Sequence, residues 1–307
     1  MLRTGTLIAL LAVGPRPAVW AAPPTRFFVV GDGQIQIRST KNRHRFDGRF
    51  READGRYIPR ALRQINRVIG GSYARAQSRI SLRLIELLSH VRKQLAGGWI
   101  TISSGYRSPH YNRALRDRGG TVARASLHQY GMAVDLRIEG VDSKAMWDFV
   151  RENKLGGAGY YGSPWVHVDV GPPRHWRQGT ANVRKGLSLH NQRIMLVPLY
   201  DIYAPGEQLS LRFARMTAWP IDVQRRFVLE RLEGGTWKEA IGFRPGLRGK
   251  RGGTCALLGS VARMAGIEWR LPPGIAHGRY RVRAGFCKVR WKEMPRSVVS
   301  TQLQIVK

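Results

Sequence analysis

Two short stretches of this 307-residue chain carry side chains that could hold a metal ion and put it to use. The run SLHQYGMAVD, from Ser126 to Asp135, sets His128 and Asp135 seven positions apart. Further on, WVHVDV supplies His167 and Asp169. Imidazole nitrogens and carboxylate oxygens are ordinary zinc ligands, and two histidines with one carboxylate leave a fourth tetrahedral position for water. Water held there becomes acidic enough to attack an amide, which is peptidase chemistry. Read singly, each stretch also suits a plain turn feeding a core strand. The chemistry depends on whether the chain brings them together.

Strand periodicity gives a way to do so. In MAVDLRI, Met132, Val134, Leu136 and Ile138 share one face and leave Asp135 and Arg137 on the other. In WVHVDV, Val166, Val168 and Val170 share a face, with Trp165, His167 and Asp169 opposite. If the two strands are neighbours, Asp135, His167 and Asp169 project into one cleft, and His128 enters from the loop before its strand. A rival register makes Asp169 the ligand and His167 the base.

The flanking elements supply the scaffold. FFVVGDGQIQI, over 27–37, predicts a hairpin turning at Gly31-Asp32-Gly33. YIPRALRQINRVIGG places Ile58, Leu62, Ile65 and Ile69 at helical spacing between a first-turn proline and a glycine pair. SRISLRLIELLSHVRKQLAGG predicts a second helix, with Leu84, Leu87, Leu88, Val91 and Leu95 along one face. WITISSGYRS reads as a strand, a short helix runs through Tyr111 and Leu115, and DSKAMWDFVREN is a helix capped by Asp142 or Ser143. This is an α+β pattern. After HWRQGTANVRKG, short β-like runs replace helical periodicity, and a sandwich of roughly seven strands is the natural reading. The expected limits are 23–180 for the first domain, 181–190 for a linker and 191–307 for the all-β domain. Cys255 and Cys287 are the only cysteines. In an oxidising compartment they are expected to pair within the second half, the alternative being two buried thiols.

The opening MLRTGTLIALLAVG and the small residues around Ala21 and Ala22 resemble a secretory signal peptide over 1–22, which predicts export to the periplasm or cell wall. No apolar stretch is long enough to span a membrane. The formal net charge is +32. Residues 1–180 carry 29 Lys/Arg against 12 Asp/Glu and residues 181–307 carry 23 against 8, so the excess is global. Such a surface favours a polyanionic setting: nucleic acid, anionic lipid or an acidic wall. No DNA- or RNA-binding module is recognisable, so nucleic acid is not an expected partner.

Together SGYRSPHYN, SLHQYGMAVD and GAGYYGSPWVHVDVGPPRHW resemble the zinc D-Ala-D-Ala peptidase superfamily, and most closely its YcbK-like branch of murein endopeptidases. The resemblance runs from about residue 27 to 177. It implies a hedgehog/DD-peptidase-like α+β fold and a zinc ion held by His128, Asp135 and His167. It also implies that Arg107 holds a substrate carbonyl or carboxylate, that Ser126 and Tyr161 line the pocket, and that Gly131, Gly156 and Gly157 meet backbone requirements. The second half resembles an immunoglobulin-like accessory module.

One departure stands out. Related peptidases often carry a general base two or three residues before the last ligand, and here those positions are Trp165 and Pro164. Asp169 and His175 are the remaining candidates, with Asp169 alternatively a partner that orients a ligand histidine. The whole-chain expectation is an exported zinc peptidase that cleaves stems or cross-links of peptidoglycan. The alternative is a peptidoglycan-binding or scaffolding protein that keeps the zinc site without turnover.

Overall fold

A computed structural model describes residues 25–120, 122–162, 164–180, 194–215, 220–247, 253–292 and 294–306. The expected signal peptide and the expected linker lie outside the described residues.

The first region is built on a seven-stranded sheet. Its strands in chain order are β1 (Gln34–Ser39), β2 (Arg45–Arg49), β3 (Ile100–Ser104), β4 (Ala133–Ile138), β5 (Gly157–Tyr160), β6 (Val166–Asp169) and β7 (Arg174–Arg177). Across the sheet the order is β2-β1-β3-β4-β6-β5-β7. The strands alternate as their sequences require. Ile37, Ile100, Leu136, Val166 and Val168 are buried on one face, where they join one core with the apolar sides of α1 (Pro59–Val68), α2 (Leu82–Gln94) and α4 (Ser143–Glu152). Asp142 caps α4 by accepting from the Ala145 amide at 2.8 Å, which leaves the helix apolar stripe facing the sheet. A shorter helix, α3 (Pro109–Asp117), is capped by Ser108 and buries only Asn112. The opposite sheet face carries the polar residues.

The predicted hairpin over 27–37 is not where the hairpin forms. β1 turns into β2 instead, pairing Gln34 with Arg49 through Arg38 with Arg45. Residues 27–33 are held by other groups: the Phe28 amide donates to Asp201 and the Gly31 amide to Glu86. Those bonds replace the ladder that a strand would have needed. Glu86 is fully buried in the middle of α2 and also accepts from Arg51 at 2.7 Å and the Tyr57 hydroxyl at 2.8 Å.

The second region is β-rich. Its strands are β8 (Ile194–Pro198), β9 (Ile202–Tyr203), β10 (Gln208–Arg215), β11 (Ile221–Glu233), β12 (Thr236–Phe243), β13 (Cys255–Leu258), β14 (Ile267–Arg270), β15 (Gly278–Phe286), β16 (Ser297–Val299) and β17 (Leu303–Ile305). That is ten strands among the described residues, against roughly seven expected. β14-β10-β8 form one sheet and β12-β11-β15-β17-β9 the spine of the other. Rings meet between them: Phe213 lies 6.2 Å from both Phe227 and Phe286, and Phe243 stacks on Trp269 at 4.0 Å. Cys255 and Cys287 are bonded as a disulfide.

The two regions touch through charge and rings. Arg83 of α2 pairs with Asp201, and Arg26 pairs with Glu207. Arg212 of β10 sits over the ring of Tyr130, which follows His128 by two residues, at 5.8 Å. Burial pushes the Arg212 guanidinium down to about 10.

Candidate metal centre

β4 and β6 are antiparallel neighbours, and their register sets Asp135 directly across from His167. His128 reaches the same point from a 3-10 turn over Leu127–Tyr130. Ser126 caps that turn, its hydroxyl accepting from the His128 amide, and Gly131 ends it at φ +63°. A Cβ at Gly131 would lie 2.5 Å from the Arg79 carbonyl oxygen, so the loop can close only on glycine. A register shift between Ile102 and Ser104 brings Ser104 opposite Asp135, the kind of local irregularity that re-aims side chains beside a site.

Three ligand atoms converge. His128 Nε2 lies 3.3 Å from His167 Nδ1 and 3.4 Å from Asp135 Oδ1, and His167 Nδ1 lies 2.9 Å from Asp135 Oδ1. A tetrahedral ion with bonds of about 2.0–2.1 Å has ligand–ligand edges of roughly 3.3 Å. The triangle fits that size. All three side chains are nearly buried, and they are the one such His/Cys/Asp/Glu group found among the described residues.

The remaining atoms of these residues fix their orientation. His128 Nδ1 donates to the Gly105 carbonyl at 2.7 Å, which leaves Nε2 with its lone pair toward the triangle. His167 Nε2 donates to Asp169 Oδ2 at 2.9 Å, leaving Nδ1 free in the same way. Asp135 Oδ2, turned from the triangle, accepts from Arg107 Nη2 at 2.8 Å, while Arg107 Nε donates to the Ser104 hydroxyl at 2.9 Å.

Electrostatics follow the same geometry. Burial pushes the His128 imidazole down. Burial would raise the Asp135 carboxyl, but His128 and His167 outweigh it and hold the group well below the usual range. Burial would lower the His167 imidazole, but its bonds to Asp135 and Asp169 outweigh that and raise it.

The two candidates for general base, Asp169 and His175, stand in different surroundings. Asp169 is fully buried and its oxygens are taken. It accepts from His167, from both Nη atoms of Arg174, and from the Gly157 and Gly171 amides. Despite burial, Arg174 and His167 hold it far below the usual carboxylate range. These bonds hold Asp169 against His167 Nε2. Gly157 exists for this contact, since a Cβ there would lie 2.2 Å from Asp169 Oδ2. His175 is exposed and faces the helical side, its ring 6.0 Å from Trp147 of α4. It does not reach the triangle, because alternation along β7 turns Arg174 and Trp176 toward the site instead.

Arg107 is placed at the site, with two of its nitrogens engaged by Asp135 and Ser104. Ser126 acts as a turn cap. Tyr161 stands at the rim, its ring 6.4 Å from His167, and burial together with the Asp135 charge pushes its phenol up, so it stays a neutral hydroxyl. Two residues went unread in the sequence, Arg174 and Trp176, whose ring lies 5.0 Å from that of His167. Alternation within RHWR was the signal that could have found them.

A buried His/Asp/His set on the open sheet face of an α+β region could hold a metal ion, and comparison with known proteins gives the family. A family model described as peptidoglycan L,D-endopeptidase MepK matches residues 31–176. The Escherichia coli (strain K12) protein of that name is 32% identical over 178 residues, covering 57% of this chain and 94% of the relative. A probable peptidoglycan L,D-endopeptidase MepK of Haemophilus influenzae is 28% identical over 146 residues, 47% of this chain and 78% of the relative. The chain belongs to this family of M15 peptidases. A solved structure of the Pseudomonas fluorescens DNA glycosylase AlkC overlaps 37% of this chain and 30% of its own at a TM-score of 0.20 and 12% identity, too slight to bear on the fold.

Proposed function

We propose that this protein is an exported, zinc-dependent endopeptidase that hydrolyses L,D peptide bonds in peptidoglycan. The observation that carries the reading is the triangle of His128 Nε2, His167 Nδ1 and Asp135 Oδ1, whose edges of 3.3, 3.4 and 2.9 Å suit a tetrahedral ion. The names of the relatives supply the substrate and the bond. The His128, Asp135 and His167 side chains would hold the ion. When bound, zinc supplies Lewis acidity at neutral pH, activating water and polarising a carbonyl.

The chain's own groups do the rest. Arg107 holds the Asp135 carboxylate by the oxygen turned away from the triangle, and Asp169 holds His167 in the tautomer that presents Nδ1. Arg174 keeps Asp169 ionised. Tyr161 offers a neutral hydroxyl at the rim, suited to donate to a substrate carbonyl, and the Trp176 ring walls the side nearest His167. The domain fold fits the hedgehog/DD-peptidase class, and the two packed sheets of the second region fit an immunoglobulin-like sandwich. Arg3, the apolar run from Leu7 to Val13 and the small residues at Ala21 and Ala22 support export. The +32 charge suits an anionic wall.

A non-catalytic binder is the second reading, and one observation favours it: Pro164 and Trp165 stand where related peptidases place a base, while Asp169 is bound by His167 and Arg174 and His175 faces Trp147. Incubating purified full-length protein with murein sacculi and zinc separates the two. Released muropeptides cut at an L,D bond, abolished by chelation, are expected. Sacculi that bind protein but release nothing would favour the binder.

A further inference from the structure

The open face of the sheet does not end at the metal triangle. Asp135 and Arg137 lie on the same face of β4, two residues or about 6.6 Å apart along the strand. Register places Thr101 opposite Arg137, and Arg38 beside Thr101, so the three form a second row next to the row of Asp135 and His167. Trp165, just before β6, completes that row, with the Arg137 guanidinium 5.6 Å from its ring. Arg38 is fixed in turn, its Nε donating to the Thr101 hydroxyl at 3.0 Å. Beside Arg38, Thr101 and Arg137 opens a cavity of about 370 Å³, which Pro164, the end of β4 and the turn after it also line.

The charges around this cavity leave one cation unmatched. Glu139 faces it but lies 3.6 Å from Arg38. Asp142 also lines it and accepts from the Ala145 amide as the cap of α4. Among the described residues no carboxylate pairs with Arg137, which is exposed. An exposed arginine with its guanidinium near an indole ring keeps donors that suit a carboxylate.

We propose that Arg137, flanked by Arg38 and Trp165, is a subsite that takes a free carboxylate of the peptide substrate about two residues (~6.6 Å) from the bond being cut. The proposal rests on the peptidase reading above. An extended peptide lying along β4 with its scissile bond at His128, Asp135 and His167 carries the next-but-one residue over Arg137. Both a C-terminal carboxylate and an acidic side chain offer this chemistry.

The test uses zinc-loaded full-length protein and three synthetic stem peptides: a parent with both carboxylates free, its C-terminal amide, and its side-chain amide. Wild type should lose about tenfold in kcat/KM, mainly through KM, on one of the two amides, as expected for a charged contact worth about 1.4 kcal/mol. Arg137→Gln should bring parent and amide within about twofold of each other, and Arg137→Lys should restore part of the difference. Zinc content and unfolding midpoint report whether the variants remain folded. Wild type treating all three peptides alike, or Arg137→Gln keeping the wild-type ratio, would overturn the subsite. If neither peptides nor sacculi are cut, the peptidase reading fails separately. Calorimetric binding of the same peptides then decides: a carboxylate preference lost in Arg137→Gln supports the subsite, and equal binding of all three removes it.

Discussion

The metallopeptidase region and the β-rich region bury charge to different ends. In the first, His128, Asp135, His167 and Asp169 are buried close together, and the Gly105 carbonyl and Asp169 each leave a histidine nitrogen turned toward one point. In the second, the buried carboxylates Asp201 and Glu230 stand apart: Asp201 ties the β region to Arg83, and Glu230 bridges Arg281 and Arg283. Burying charge is costly wherever it happens. In one region the arrangement makes a candidate ligand set, and in the other it joins pieces of scaffold. Function should therefore be sensitive to charge in the first region and stability alone in the second.

The sharpest break of that contrast is removal of a ligand. His128→Ala or Asp135→Ala should reduce zinc from about one ion per chain to nearly none, with activity lost in step, since the metal site needs its full donor set. Mass spectrometry of metal content beside a sacculus assay reads both, and activity in metal-free variant would contradict the assignment. Next comes Asp169→Ala, which frees the His167 ring and strands Arg174. Zinc affinity should fall by about 10- to 100-fold and stability by about 3–5 kcal/mol, as read by chelator competition and urea unfolding. Equal zinc affinity in that variant would show that Asp169 does not orient His167.

Reduction of the disulfide sharpens the contrast from the other side. Cys255 and Cys287 are 32 residues apart, and closing such a loop typically contributes about 2–4 kcal/mol. The double Cys→Ala variant should unfold earlier while keeping its zinc content. The smallest effect is expected at Glu230. Burial would raise its carboxyl, but Arg281 and Arg283 outweigh that and lower it. A lowered folded value means the contribution is complete above roughly pH 4.3, the unfolded range, and fades as pH falls through the folded value. Glu230→Gln should therefore cost about 1 kcal/mol or less near neutral pH and should flatten the acid limb of the stability curve. A variant whose acid limb matches wild type would contradict this.

Much of the first region was legible because its strands alternate cleanly. MAVDLRI and WVHVDV each bury an aliphatic row, and that alone set Asp135 and His167 on a shared face. The helices showed through the spacing of Leu62, Ile65, Leu84 and Leu88. What stayed hidden lacked an apolar signal: β5 is GAGY and β7 is RHWR, strands made by pairing with neighbours rather than by their own side chains. Without β7 recognised as a strand, the alternation in RHWR that turns His175 away and Arg174 and Trp176 inward could not be used. Glu86 was read as part of an apolar helix, and its partners Arg51, Tyr57 and Gly31 come from distant sequence. The hairpin was misplaced because FFVV resembles a strand, whereas Phe27 is buried and the Phe28 amide is bound to Asp201 of the second region.

The most direct test of the account is zinc K-edge X-ray absorption on the full-length protein. It predicts four nitrogen or oxygen neighbours at about 2.0–2.1 Å, with outer-shell scattering from two imidazoles that disappears, along with the metal, in His128→Ala. A spectrum without imidazole scattering, or one left intact by that substitution, would contradict it.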